Sequence, residues 1–325
     1  MITRRDVLTA AAGIALSTAC RLPGALAQPL TNPVHILTGF TPGLQDALAR
    51  LVAGQMSGYA ETIVVEPRPG ASGRLAVEAV KTADADGSVI LFAPLGFMML
   101  FPHVYKTLGY QPGDFTPVST VASTPTLLTV GPKVPADVTT VEEFVVWCRA
   151  NPKFATYGTA GAGTTLHFLG AMLGRTAGFD FQHVPYQGNG AIQDLLKGEI
   201  ASAIMPIGSS LGLVQSGHLR ALASTGPRRS PFIPATPTMR EAGYPALEDL
   251  TWYGFFLPAK TPAPIVEKLN AAIQAALQAP EIKSGMAKFA VEPDAIAMAD
   301  FARLIASESE RWKAIVQATG FVPTD

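Results

Sequence analysis

Alternation of short β-rich runs with helical patterns predicts an α/β protein with largely parallel sheets, because a strand that returns parallel to its neighbour needs a helix-length connection. Two lobes are expected as well, since 325 residues exceed the usual size of one compact core. Hydrophobic residues make up 48% of the chain and charged residues 15%, against about 25% in an average domain, so most of the chain is buried in a globular core.

The β-rich runs are bounded by Gly or Pro and fall at 35–40, 62–66, 89–93, 127–130, 154–157, 182–186, 200–205, 219–224 and 252–257. Helical patterns lie between most of them, at 46–56, 141–150, 165–175, 191–197, 264–278 and 300–318. The last two helices have fewer strands between them, which predicts a C-terminal region packing back onto an earlier lobe. Pro-rich joints at 131–135 and 227–237 read as surface loops.

The N-terminus carries an export pattern. Arg4-Arg5 precedes the small apolar run 10–19 and the Ala25-Leu26-Ala27 ending, the layout of a cleavable twin-arginine signal over residues 1–27. An amphipathic first helix and lipidation at Cys20 are the competing readings; the run lacks the polar interruptions of the first, and Ser17-Thr18-Ala19-Cys20 is a poor match to the second. Cleavage removes Arg4, Arg5, Arg21 and Asp6 from 24 basic and 25 acidic residues, leaving 21 and 24 and a net charge of about −3. Such a balance argues against nucleic acid as a partner. Cys148 then stands alone, as a small core residue of a predicted helix, and beyond the signal no apolar run is long enough to span a membrane.

Ligands of open α/β sheets bind beyond the carboxyl ends of strands, where loops enter helix N-termini. Two loops fit. One is Gly39-Phe40-Thr41-Pro42-Gly43-Leu44-Gln45-Asp46; the other runs from Tyr157-Gly158 through Gly161 and Gly163 to Thr165. Glycines allow close backbone approach, and unpaired first-turn N–H groups favour an anion without any basic side chain. Ordinary turn chemistry, with Thr164 or Thr165 as an N-cap and Asp46 offsetting the helix dipole, is the alternative. A third loop, 184–190, leads into a helix and brings Tyr186 and Asn189 towards the same place. Neither the P-loop nor the dinucleotide fingerprint fits the Gly-rich loop. The five histidines have no metal spacing, and no metal, cofactor or catalytic residue is assigned. A hydrolase would need Ser209 or Ser210 beside His167 or His183.

Several stretches occur in one order: Val65-Glu66-Pro67-Arg68-Pro69-Gly70-Ala71-Ser72-Gly73, Ala85-Asp86-Gly87, 157–164, His183-Val184-Pro185-Tyr186-Gln187-Gly188, 217–223, 237–243 and 252–262. This ordered set resembles the solute receptors of tripartite tricarboxylate transporters, the Bug-type periplasmic binding proteins. The resemblance implies a type II-like fold of two Rossmann-like domains around a ligand cleft, with residues 28–122 plus 252–325 as one lobe and 123–251 as the other. It implies a monomeric periplasmic receptor that closes on a small organic carboxylate and delivers it to membrane transporter subunits. The ligand-facing positions it implies are Phe40, Thr41, Pro42, Gly43 and Asp46 in the first loop, Thr159, Ala160, Gly161, Gly163, Thr164 and Thr165 in the second, and Tyr186 and Asn189 in the third.

This chain departs from the family pattern at three places. The first loop is one residue shorter before Asp46, Pro94-Leu95-Gly96-Phe97-Met98-Met99-Leu100 stands where small hydroxyl residues are usual, and Met205 replaces an Asp. Leu95, Gly96, Phe97 and Met205 are therefore expected beside a ligand with an apolar or aromatic body, unless the 97–100 segment packs the core instead. A ligand-presenting partner of a sensor is the other reading compatible with the same sequence.

Overall fold

The computed structural model describes residues 30–40 and 43–322; the expected signal segment and Cys20 lie outside them. Among the described residues, the strands are β1 (Val34–Thr38), β2 (Ile63–Pro67), β3 (Val89–Pro94), β4 (Phe115–Thr124), β5 (Thr126–Val130), β6 (Thr156–Thr159), β7 (Gln182–Pro185), β8 (Ser202–Pro206), β9 (Arg220–Ser224), β10 (Thr251–Pro258) and β11 (Glu292–Pro293). The helices are α1 (Leu44–Ala53), α2 (Arg74–Lys81), α3 (Gly96–Met99), α4 (Phe101–Val104), α5 (Val141–Ala150), α6 (Thr165–Ala177), α7 (Gly190–Lys197), α8 (Leu211–Gln215), α9 (Ala263–Gln278), α10 (Pro280–Ala287) and α11 (Met298–Thr319).

Local chemistry sets the main boundaries. Thr140 and Glu143 form a reciprocal capping box at the start of α5. Helices α6 and α7 stop at Gly178 and Gly198, whose φ values of 67° and 72° suit glycine and end the helix with a left-handed residue. Helix α2, with apolar Ala76, Val77 and Val80 buried, and the ten-residue β4 are not among the elements predicted from sequence. Pro117 and the Ser/Thr content disguise β4. The structure tolerates the proline beside a register shift against Phe256 of β10, where one ladder hydrogen bond can be forgone.

The strands form two sheets, ordered β11-β4-β10-β3-β1-β2 and β7-β6-β8-β5-β9. They are mixed, which corrects the expectation of largely parallel sheets. Strand β1 pairs parallel with β2 and β3, and β6 with β7 and β8. By contrast, β10 is antiparallel to β3 and β4, and β5 is antiparallel to β8 and β9. Two of the reversed strands follow a crossing between sheets: β5 comes directly after β4, and β10 after β9; the two-residue β11, antiparallel to β4, follows α10 instead. No α-helix lies between β4 and β5 or between β9 and β10 to turn the chain around, so β5 and β10 enter against their neighbours.

The two crossings lie side by side and are hydrogen bonded to each other. Pro125 separates β4 from β5, and Thr126 N–H donates to the Thr225 hydroxyl at 2.9 Å. That hydroxyl donates to the Asp249 carbonyl at 2.8 Å, and Asp249 N–H donates back to the Thr225 carbonyl at 2.8 Å.

Helix α11 spans this junction. Its Phe301 packs on Phe256 of the first sheet, ring centroids 5.3 Å apart, while Trp312 meets Phe168 of α6 at 6.3 Å. One apolar core thus runs from Phe97 and Phe101 through Phe301 and Trp312 to Phe144 and Phe168. A second core on the outer face of the first sheet holds Ile36, Leu48, Phe92, Phe255 and Leu269. Arg311 of α11 also reaches the return crossing, donating to Asp249 Oδ1 at 3.0 Å and to the Glu248 carbonyl at 2.6 Å. Burial pushes the Asp249 carboxyl up to about 7, against the pull of the Arg311 charge.

Arg311 is one-third exposed and the Asp249 carboxyl can take up a proton, so removing Arg311 costs chiefly the hydrogen bonds to Asp249 and the Glu248 carbonyl, about 1–3 kcal/mol. Arg311→Met is therefore expected to lower the unfolding free energy by that order in urea titrations, with partial recovery in the Arg311→Met, Asp249→Asn double variant. A loss below about 1 kcal/mol would show that the pair does not tie α11 to the crossing.

Candidate ligand-binding site

Carboxyl ends of β1, β3, β6, β7 and β8 face one another across the gap between the sheets, and a cavity of about 110 Å³ lies there. Phe40, Gly43, Leu44, Gln45 and Pro94 line it from the first sheet's side. Ala160, Thr164, Thr165, Leu166, Gly188, Asn189, Met205, Pro206 and Ser209 line it from the second, with Thr251 and Tyr253 of β10. Two smaller recesses adjoin it and share Phe40. One is lined by Leu95, Gly96, Phe97, Thr164, Thr165 and Trp252, the other by Gly70, Ser72, Gly161, Tyr186 and Gly188.

Of the positions expected from sequence, Phe40, Gly43, Ala160, Thr164, Thr165, Asn189 and Met205 share the main cavity. Leu95, Gly96 and Phe97, and separately Gly161 and Tyr186, reach only the recesses. Thr41 and Pro42 lie outside the described residues. Three expectations are corrected. Asp46 lines none of these spaces, because Arg50 one turn later takes both carboxylate oxygens at 2.8 and 3.0 Å. Thr159 is fully buried, its hydroxyl held by His183 and the Gly161 carbonyl. Gly163 sits behind the loop, its amide given to His167.

Phe97, Met98, Met99 and Leu100 are each at most 2% exposed, so this segment packs the core. Phe97 supports Phe40 from behind, with centroids 5.8 Å apart. The Tyr186 hydroxyl donates to Asp194 of α7 at 3.0 Å instead of addressing the cavity. Sequence reasoning missed Leu44, Gln45, Pro94, Leu166, Gly188, Pro206, Ser209, Thr251 and Tyr253. Leu44, Gln45 and Leu166 are first-turn residues directly after the loops singled out, and Thr251 and Tyr253 share one face of β10 by period two.

Among the described residues, none that lines these three spaces carries a charge. The field comes from the backbone instead. N-terminal residues of α1 (Leu44, Gln45), α6 (Thr165, Leu166) and the segment entering α7 (Gly188, Asn189) meet at the main cavity from both sides. First-turn amides have no intrahelical partner, and each helix end carries about half a positive charge. Neither Gly43 nor Asn189 caps its helix with a side-chain hydrogen bond. Thr164 caps only the third amide of α6, that of His167, at 3.4 Å. The amides of Gly161 and Gly163, in contrast, are already bonded to the Thr159 carbonyl and His167 Nδ1. The arrangement can hold an anion at the helix mouths of α1, α6 and α7, beside apolar walls from Phe40, Leu44, Leu166, Met205, Pro206 and Tyr253.

A pair of histidines fixes the Gly-rich loop. His183 Nε2–H donates to Thr159 Oγ1 at 2.7 Å; Thr159 and Thr164 hydroxyls both donate to the Gly161 carbonyl at 3.0 Å. His167 Nδ1 accepts the Gly163 amide at 3.2 Å, so the network assigns its proton to Nε2. The two rings stack 4.0 Å apart. Burial pulls His167 down to about 4, and burial with the neighbouring imidazole pulls His183 down to about 3.

Gly208-Ser209-Ser210-Leu211-Gly212 has the G-x-S-x-G spacing of hydrolase nucleophiles and joins β8 to α8. Ser210 is nevertheless buried, with φ −128° and ψ 0°, not a strained exposed turn, and its Oγ has no hydrogen-bond partner among the described residues. His167 and His183 are engaged with the Gly-rich loop as above. Among the described residues no cluster of His, Cys, Asp and Glu could hold a metal ion, and no helix is long and apolar enough to cross a membrane. Cys148 is buried, its thiol pushed up to about 12.

Two α/β lobes joined by adjacent crossings, with an uncharged cavity between their strand ends, define a two-lobed solute-binding protein. Residues 48–321 match the tripartite tricarboxylate transporter family receptor, and the chain belongs to that family of periplasmic solute receptors. Among its relatives, BugT of Bordetella pertussis is 33% identical over 299 residues, covering 89% of this chain and 90% of BugT. The UPF0065 protein in the tcbD-tcbE intergenic region of Pseudomonas sp. (strain P51) is 33% identical over 97% of this chain and 94% of its own length. Similar solved structures include R. palustris Rpa4515 with adipate, with a TM-score of 0.83, 30% identity and coverage of 90% of this chain and 98% of that one. MatC from Rhodopseudomonas palustris with bound malate has a TM-score of 0.80 and 29% identity, covering 87% and 98%.

Both histidine values lie below the unfolded value of about 6.5, so unfolding takes up protons from roughly pH 6.5 down to about 4 for His167 and about 3 for His183. The neutral pair's contribution is fully present above that window and is lost as pH falls through it. The stability difference between wild type and His183→Gln should accordingly shrink with acidification, by about 1.4 kcal/mol per pH unit. A difference that is flat or grows towards pH 4 in denaturant titrations would contradict a neutral stacked pair.

Proposed function

We propose that this chain is a periplasmic receptor that captures a small organic carboxylate with an apolar body and delivers it to tripartite tricarboxylate-type membrane subunits. The reading includes export by the twin-arginine signal at residues 1–27, action as a monomer, and no covalent chemistry. The two lobes divide near residues 122 and 252 and close about the paired crossings. One observation carries the proposal: first-turn residues of helices from both lobes line a single cavity that contains no charged side chain. The relatives solved with adipate and malate support a carboxylate as the anion.

Closure explains how so weak a set of donors holds its guest. With water excluded, backbone dipoles act in a low-dielectric space, where each is worth more than in solvent. Apolar walls then favour the hydrocarbon part of the ligand by about 25 cal/mol per Å² removed from water. A second or third charge on the guest would have to be buried against Leu166, Met205 or Tyr253 without a counter-charge, which disfavours citrate.

Titration followed through Trp252 fluorescence tests the reading: hexanoate or benzoate binds and citrate does not. Tight citrate binding with no response to either apolar acid would reject it. Thr165→Pro deletes one amide donor at a helix position that tolerates proline. It is expected to weaken carboxylate binding about 10- to 100-fold beyond Thr165→Val, the equivalent of one hydrogen bond to a charged group.

A further inference from the structure

Met205, Pro206 and Ser209, at the end of β8 and just beyond it, line the main cavity. Ile207 and Gly208, between them, meet the segment that joins α10 to β11 of the first sheet. Ile207 shares an apolar cluster with Ala290, Leu127 and Ile233. At Gly208 the approach is backbone on backbone: a Cβ added there would lie 2.2 Å from the Phe289 carbonyl oxygen and 3.2 Å from its Cα, inside van der Waals contact. Gly208 is not among the residues with left-handed φ, so the close approach alone requires glycine. The Phe289 side of the contact is firmly held. Phe289 and Val291 amides both donate to the Met286 carbonyl, at 2.9 and 3.1 Å, around Ala290 at φ 53°. Beyond them the Thr120 hydroxyl donates to the Asp294 carbonyl at 2.7 Å and the Ser123 hydroxyl to its carboxylate at 2.9 Å. Segment 289–294 is thus a strut fixed to the first sheet and bearing on the second, next to three residues of the cavity wall.

We infer that Gly208 is a positioning residue: its bearing on Phe289 sets the angle at which the lobes meet, and through that angle the spacing of the helix-mouth amides that hold the guest. The inference uses the two lobes and their shared cavity and does not depend on which guest binds. First-turn residues of α1 come from one lobe and those of α6 and α7 from the other, so any relative shift of the lobes changes their spacing. The bearing adjoins a crossing, since the Ile207 amide donates to the Pro125 carbonyl at 3.1 Å. A small displacement beside a hinge is magnified with distance from it. The other link between the two segments, Arg228 to Glu292 at 2.9 Å, is an exposed ion pair and contributes little. Gly208 also opens the G-x-S-x-G spacing noted above, and interlobe contact accounts for that glycine without a nucleophile.

Gly208→Ala drives a wedge into this bearing. Spin labels on Leu75→Cys and Gln193→Cys, exposed residues of α2 and α7, report lobe separation in the full chain without any ligand. Cys20→Ser leaves buried Cys148 as the only native thiol. The mean label distance should shift in Gly208→Ala, and affinities for hexanoate and benzoate should fall by a common factor of about tenfold, as for one lost hydrogen bond to a charged group. Ala290→Gly frees the left-handed residue of the strut, and in the double variant it should restore both distance and affinity. A glycine that serves the fold alone would lower the melting temperature and leave distance and affinity unchanged. That result overturns the inference, as does a loss of affinity for one acid only. Should Gly208→Ala not fold, Ala290→Gly alone must broaden the distance distribution, and an unchanged distribution overturns the inference. If neither acid binds the wild type, the carboxylate reading fails and the label distances alone decide the role of Gly208.

Discussion

Holding a negative charge without a positive side chain is the constraint on which this molecule depends. Backbone amides can do it only where a helix begins, only if the chain does not cap them first, and only if several such beginnings meet. The first turns of α1 and α6 and the entry to α7 meet at one cavity, and they belong to different sheets. The donors are therefore complete only when the lobes are together. Side chains lining the space add shape.

Bringing those turns together depends on how the lobes are joined. The crossings at Pro125 and between Thr225 and Asp249 are hydrogen bonded to each other, which joins the two sheets at one place. Helix α11 packs across both lobes with Phe301 and Trp312 and anchors on Asp249 through Arg311. On the cavity side the Gly-rich loop is held by neutral His167 and His183, so its geometry exists before any guest arrives. Loops that are rigid beforehand reduce the ordering cost of binding.

Much of this is legible in the chain. Alternating periodicities mark most strands and helices, and the two Gly-containing strand-to-helix loops point to the cavity through local sequence alone. What stays hidden depends on partners distant in sequence or on competing local bonds. Asp46 looks available by its place in the first loop, but Arg50, four residues on, claims it. Gly161 and Gly163 look like anion donors, but Thr159 and His167 occupy their amides, a consequence of a tight turn folding back on itself. Strand β4 hides behind Pro117, and the mixed sheets behind crossings that no local pattern records. Gln45 looks like an ordinary polar helix residue, because only the Phe92 carbonyl, 47 positions away, reveals the direction of its amide.

Peptide N–H groups are the same whatever side chain they carry, so the grip on the anion survives substitution almost anywhere along Leu44, Gln45, Thr165 and Leu166 except by proline. Charge capture and guest discrimination are in this way inherited separately. A duplicated copy of such a gene can drift at Phe40, Gln45 or Met205 and acquire a new cargo in single steps, without passing through a form that has lost its hold on acids. That separability would let one architecture supply a bacterium with a large repertoire of receptors.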